Sequence, residues 1–343
     1  MKKLFLSLVA AMLVSMSAMA QQAVAVLTHD GTSKTFNGYT ALQDAYAASA
    51  SGDLITLSSG TFASIATIEK ALTIRGAGME YDSIYHTQAT ILQGDFTLAL
   101  PETETGRFQL EGIYHDNTLY YKYNLQNPQF VKCRFAGITD TNYEKLGTTY
   151  TSTMKNANFF HCKIVSYIEG SDNSSISAVN CYIRRPYTKT DNTSSFYLEN
   201  CLVFNNYISS WYLKSSTLIN CIIVETTNTH YFGYNNNTTF ISCLLPGRYK
   251  PETSKNSYQN YDKIQVVFDT YTGTYTDAED FTMRDEMKVL YCDENGSELG
   301  MYGGSFPYSP RVAGPHLSLF NVAPHSTSDG KLRVRLQVES TLE

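Results

Sequence analysis

Tryptophan occurs once in this chain, basic residues are outnumbered by acidic ones, and only 17% of the residues are charged. The low basic count argues against a nucleic-acid partner, because phosphate recognition needs a basic surface. After the first twenty residues, no apolar run approaches the length of a membrane span. No Cys-x-x-Cys occurs and no His/Cys pair has ligand spacing, which argues against a structural metal. A Gly-x-Ser-x-Gly nucleophile elbow is also missing. What the chain has in abundance is tyrosine, 26 residues in 343, a residue that suits strand faces.

Residues 1–20 read as a secretory signal peptide. Lys2 and Lys3 precede an apolar run, and Ala18-Met19-Ala20 resembles a cleavage site. No cysteine follows that site, so a lipid anchor is not expected there. Removal of this segment leaves 24 basic and 32 acidic residues, a net charge of −8. The protein is therefore expected to be exported: periplasmic, cell-surface or secreted.

Six of the seven cysteines mark a repeat. Cys133, Cys162, Cys181, Cys201, Cys221 and Cys243 follow one another at steps of 29, 19, 20, 20 and 22 residues. Three positions before each stands an apolar residue: Phe130, Phe159, Ala178, Leu198, Leu218 and Phe240. Two positions after stands another: Phe135, Ile164, Ile183, Val203, Ile223 and Leu245. Ile113 occupies the cysteine slot one step earlier. A period near 20 is too short for a helical array and points to a β-solenoid. Cysteine and the residue two later share one face of a strand. The residue three earlier is at odd separation, so a bend must intervene. The residue just before each cysteine is the bend, and Asn180, Asn200 and Asn220 suit it because asparagine tolerates left-handed backbone. Stacked strands lie about 4.8 Å apart, too far and too parallel for a disulfide with its Cβ separation near 3.8 Å. The six cysteines are expected to be buried thiols.

This arrangement resembles the right-handed parallel β-helix of the pectate-lyase-like superfamily. The run 39–78 carries the resemblance too: a short helix expected over 40–48, then SGDLITLSSGTF and KALTIRGAG. Residues 293–308, DENGSELGMYGGSFPY, resemble the terminal rung of β-helix proteins exported by Bacteroidetes. Later rungs are expected near 266–268 and 288–292. Four of the nine prolines fall at 307, 310, 315 and 324, and 332–339 alternates apolar and polar residues, with 317–322 able to pair with it. The expected fold is thus all-β: a right-handed single-stranded parallel β-helix over 21–310, an N-terminal capping helix, and a small β appendage at 311–343.

Function is less legible, because this fold serves many activities. The favoured expectation is a non-catalytic scaffold that binds an acidic glycan or a surface protein, with no cofactor. The residue after each cysteine should point outward, which gives the column Arg134, Lys163, Tyr182, Leu202, Ile222, Leu244. Its basic half, with Arg185 beside it, is the expected ligand groove: Arg134, Lys163, Tyr182 and Arg185. The apolar half is expected to lie under 246–261 or the C-terminal appendage. The alternative is a polysaccharide lyase or glycosidase. Arg184 to Lys189 faintly resembles the R-P--R motif of pectate lyases, with Lys189 in place of the final arginine. That resemblance implies calcium held by Asp172 and Asp191, with Arg184 or Lys189 as the base. The lyase aspartate-histidine motif and the Gly-His-Gly element of polygalacturonases are both missing. The loop expected at 139–154 holds no catalytic cluster beyond Asp140, Glu144 and Lys145.

Overall fold

The repeat becomes a stack of parallel strands, an all-β parallel solenoid. The computed structural model describes residues 23–84, 87–141, 152–171, 173–188, 193–205, 213–225, 237–247, 249–251, 256–273, 276–312, 315–322 and 334–340. The segment 1–20 and most of the loop at 139–154 lie outside the described residues.

Each rung crosses two sheets. In the first sheet, Gln109–Glu111, Gln129–Val131, Ala157–Phe160, Ser175–Val179, Ser195–Glu199, Thr217–Ile219 and Thr239–Ile241 stack in parallel. Leu110, Phe130, Phe159, Ala178, Leu198, Leu218 and Phe240 pair in sequence along it, so the expected register is the observed one. All are buried, and Phe130 stacks on Phe159 at 4.6 Å. In the second sheet, Phe135, Ile164, Ile183, Val203 and Ile223 form the facing inner column. Each such side chain contributes roughly 1.5–3 kcal/mol through burial.

The corner between the sheets is one residue wide. Lys132, His161, Asn180, Asn200, Asn220 and Ser242 have φ between 48° and 53°. The stack imposes this turn even on lysine and histidine, although asparagine accepts it at lower cost. The cysteine that follows is fully buried and free. Each Sγ lies 3.2–3.4 Å from the carbonyl two residues before it. It also lies 3.4–3.6 Å from the inner carbonyl of the preceding rung. A small apolar residue with a weak donor suits that position. Burial pushes the Cys133, Cys181 and Cys221 thiols well up, so they stay protonated.

A second ladder, not anticipated, lines the corner that leads back into the first sheet. Ser174, Ser194, Ser216 and Thr238 are buried there. Ser174 Oγ accepts from Met154 N–H at 3.0 Å, and Ser216 Oγ accepts from Phe196 N–H at 3.0 Å. These hydroxyls satisfy backbone groups that the corner removes from strand pairing. The doublets Ser174-Ser175, Thr193-Ser194, Ser215-Ser216 and Thr238-Thr239 are their trace in the sequence.

At the N-terminal end, Leu54–Leu57 is covered by an antiparallel hairpin, Val24–His29 with Thr32–Asn37. The helix Ala41–Ala48 packs beside it and buries Ala41, Leu42 and Ala45. At the other end the chain departs from expectation. Residues 266–268 and 288–292 are not rungs: Ile264–Val266 is a 3-10 turn and Asp285–Leu290 an α-helix. These stretches lack the apolar–Cys–apolar spacing. Asp285 and Glu286 in the first turn and Lys288 in the last suit the helix dipole. Residues 293–308 add no rung either. They run back along the left-handed corner, from Asn220 toward the early rungs. Gly300 N–H donates to Asn220 O at 2.8 Å, and Asn180 Nδ2 donates to Met301 O at 3.0 Å and Gly303 O at 2.8 Å. His161 Nε2 donates to Phe306 O at 3.0 Å, and Lys132 Nζ donates to Arg311 O. Gly304 is required here: its φ is +76°, and a Cβ would meet Asn200 Nδ2 at 2.4 Å. Pro315–Val322 pairs antiparallel with Val334–Ser340, as the alternation predicts.

Candidate functional site

The column that follows the cysteine slot is continuous. Tyr114, Arg134, Lys163, Tyr182, Leu202, Ile222 and Leu244 pair in sequence along the second sheet. They face outward, yet the column is roofed. Tyr182, Leu202, Phe204, Ile222, Val224 and Leu244 pack into a second apolar core with residues from Tyr261 to Met301, Phe268 and Phe281 among them. Of the cover expected from 246–261 or the appendage, Tyr261 contributes, and the rest comes from the segment that follows it.

The basic half is also closed, which corrects the expectation of an open groove. Arg134 Nε donates to Asp277 Oδ2 at 2.7 Å, and its guanidinium lies 4.6 Å from the Tyr114 ring centre. Burial works against its charge, but the Asp277 carboxylate outweighs it and holds the Arg134 pKa above its usual value. Lys163 Nζ lies 2.6 Å from Glu80 Oε1 and donates to Asp277 O at 2.9 Å. Tyr182 is buried between Phe204 and Phe281, at 4.9 and 5.7 Å, and burial raises its pKa. Arg185 is itself a corner residue, at φ +47°, where the strand breaks before Pro186–Thr188. Its Nε donates to Ser166 O at 3.0 Å, folding the guanidinium onto the preceding rung. Arg184 Nη1 reaches Val165 O at 3.4 Å. Lys189, Asp172 and Asp191 lie outside the described residues. Among the described residues, no group of three or more His, Cys, Asp or Glu could hold a metal, and no helix is long and apolar enough to cross a membrane.

The sequence reading missed the acids Asp277 and Glu80, which meet their partners across 143 and 83 positions without any periodic signal. It also missed a buried polar network at the C-terminal ends of three neighbouring strands of the second sheet, Tyr114–Tyr121, Arg134–Asp140 and Lys163–Gly170. Thr139 donates to the Glu169 carboxylate, and Tyr121 Oη donates to Glu169 O at 3.1 Å and accepts from Ser171 N–H at 3.2 Å. This network joins neighbouring rungs and is built for cohesion.

The outer face of the first sheet is open. One column runs Gln109, Gln129, Asn158, Ser177, Tyr197 and Thr217, in register and partly or fully exposed. Beside it run Val131, Phe160, Val179 and Ile219, interrupted by Glu111 and Glu199. Arg75 Nε pairs with Glu111 at 2.7 Å. Tyr197 is 40% exposed, and its hydroxyl donates to Glu199 Oε2 at 2.9 Å, which fixes the ring on the surface. Elsewhere a shallow cavity of about 260 Å³ is lined by Leu100, Pro101, Glu102, Glu104, Asn124 and Gln126. No family model, curated protein or solved structure matches the chain.

Proposed function

We propose that this chain is an exported, right-handed single-stranded β-helix of the pectate-lyase-like type. It acts as a non-catalytic scaffold that binds a glycan along the outer face of its first sheet. The observation that carries the reading is the in-register column from Gln109 to Thr217. Amides and hydroxyls recur there at the strand spacing of about 4.8 Å, and Tyr197 offers a fixed ring for stacking on a sugar face. The two columns of this face carry no basic side chain, and of their two acids Glu111 is paired with Arg75 while Glu199 takes the Tyr197 hydroxyl, so the face suits an uncharged glycan better than the acidic one expected from the basic column.

A glycan array of neutral, uronic-acid and sulfated chains tests this. The triple variant Gln129→Ala, Asn158→Ala, Tyr197→Ala should lose at least about tenfold in affinity at unchanged melting temperature. If the wild type binds a glycan and the variant binds it equally well, the face is wrong. Release of shortened or unsaturated product in the same assay would instead favour the polysaccharide lyase or glycosidase reading.

A further inference from the structure

Beneath the roof of the second sheet, Asp277 touches two cations at once, one of which, Lys163, also pairs with Glu80 at 2.6 Å. Asp277 offers its carboxylate to Arg134, with Nε at 2.7 Å and Nη2 at 3.5 Å, and its main-chain carbonyl to Lys163 at 2.9 Å. Both are charge-assisted hydrogen bonds, one to a carboxylate and one to a main-chain carbonyl, and an acidic residue of another chain offers the same two acceptors. The filling is incomplete. Arg134 Nη1 is buried without a hydrogen bond, its nearest acid being Asp116 at 3.8 Å. A buried donor left without an acceptor beside two occupied cations can take an acceptor that Asp277 and Glu80 do not supply. The two contacts to Asp277 are polar, whereas Phe268 and Phe281 hold the roof through the apolar half of the column. Exchange at Asp277 therefore leaves the roof's apolar anchors in place.

We infer that Arg134 and Lys163 form a second binding site, for an acidic peptide segment of a partner protein, which Asp277 occupies as an internal competitor. The site lies on the opposite sheet from the proposed glycan face, so either can fail without the other.

The test uses the full chain and a fluorescent Asp-rich hexapeptide, followed by anisotropy. Asp277→Asn should bind it about tenfold tighter than the wild type. Arg134→Ala added to that variant should abolish the gain, and salt should weaken binding in both. Equal affinity of wild type and Asp277→Asn, with the strand signal in circular dichroism intact, would overturn the inference. So would a gain that survives Arg134→Ala, or one seen with heparin or polygalacturonate but not with the peptide. Should Asp277→Asn not fold, the wild type still decides the matter. Saturating peptide should speed amide exchange over 276–283 as Asp277 is displaced, and unchanged exchange with bound peptide would count against the site.

Discussion

Asn180 does two separable things at the left-handed corner, and substitutions can separate them. Its Nδ2 donates to Met301 O and Gly303 O, at 3.0 and 2.8 Å, and its backbone sits at φ +50°. Removing both side-chain hydrogen bonds should cost about 1 kcal/mol each. Placing a β-carbon residue without asparagine's tolerance at that φ adds roughly 1 kcal/mol more. Asn180→Ala should therefore lose about 3 kcal/mol. Asn180→Gly loses the same hydrogen bonds but relaxes the backbone, offset in part by glycine's greater freedom in the unfolded chain. Glycine should come out about 1 kcal/mol better than alanine. Asn180→Asp keeps the shape but turns carboxylate oxygens toward two carbonyls, so it should be worse than glycine. Urea unfolding, with the slope checked for constancy, measures all three. If alanine equals glycine, the corner is not under backbone strain. If glycine equals the wild type, the returning segment contributes nothing through Asn180.

Thiol labelling of the denatured, unreduced protein should count at least six free thiols, and two or more disulfides among the ladder cysteines would defeat the packing described. Ile223→Asp places an unpaired charge on the inner column, fully buried, and should cost several kcal/mol in a thermal melt; an unchanged melting temperature would refute the register. His115 and His161 are both held neutral, chiefly by burial, with pKa values below the ordinary 6.5. The unfolded chain takes up these protons before the folded one does, so stability should be full above about pH 6.5 and fall as the pH drops toward 5. In His161→Asn the fall should be shallower, and an identical pH profile would exclude His161 as a contributor.

The inner face was legible because a stack places every repeat in the same slot. Phe130, Cys133 and Phe135 recur as Leu198, Cys201 and Val203, and the spacing alone set the pairing. His115 broke the pattern by standing in the slot of Phe135, where its Nε2 donates to Gly94 O at 3.0 Å. The outer faces were much less legible. Alternation says that Arg134 and Lys163 point outward, but not what meets them there. Asp277 and Glu80 arrive from distant, aperiodic stretches, and no local pattern announces a carboxylate as one half of a long-range pair. The apolar half of the column did signal that something must cover it. Which segment does so was decided by packing that only three dimensions display.

The segment that returns from Gly300 to Arg311 changes how the molecule should come apart. A solenoid whose rungs touch only their neighbours melts like a zipper, opening from either end at a cost set locally. Here the late rung at Asn220 and the early rung at Lys132 are laced to one cord. Loosening the far end slackens the cord at the near end too, so fraying at one terminus is resisted by contacts at the other. Force applied through the C-terminal hairpin would load this lacing in shear, across several rungs at once, before any single strand pair began to open.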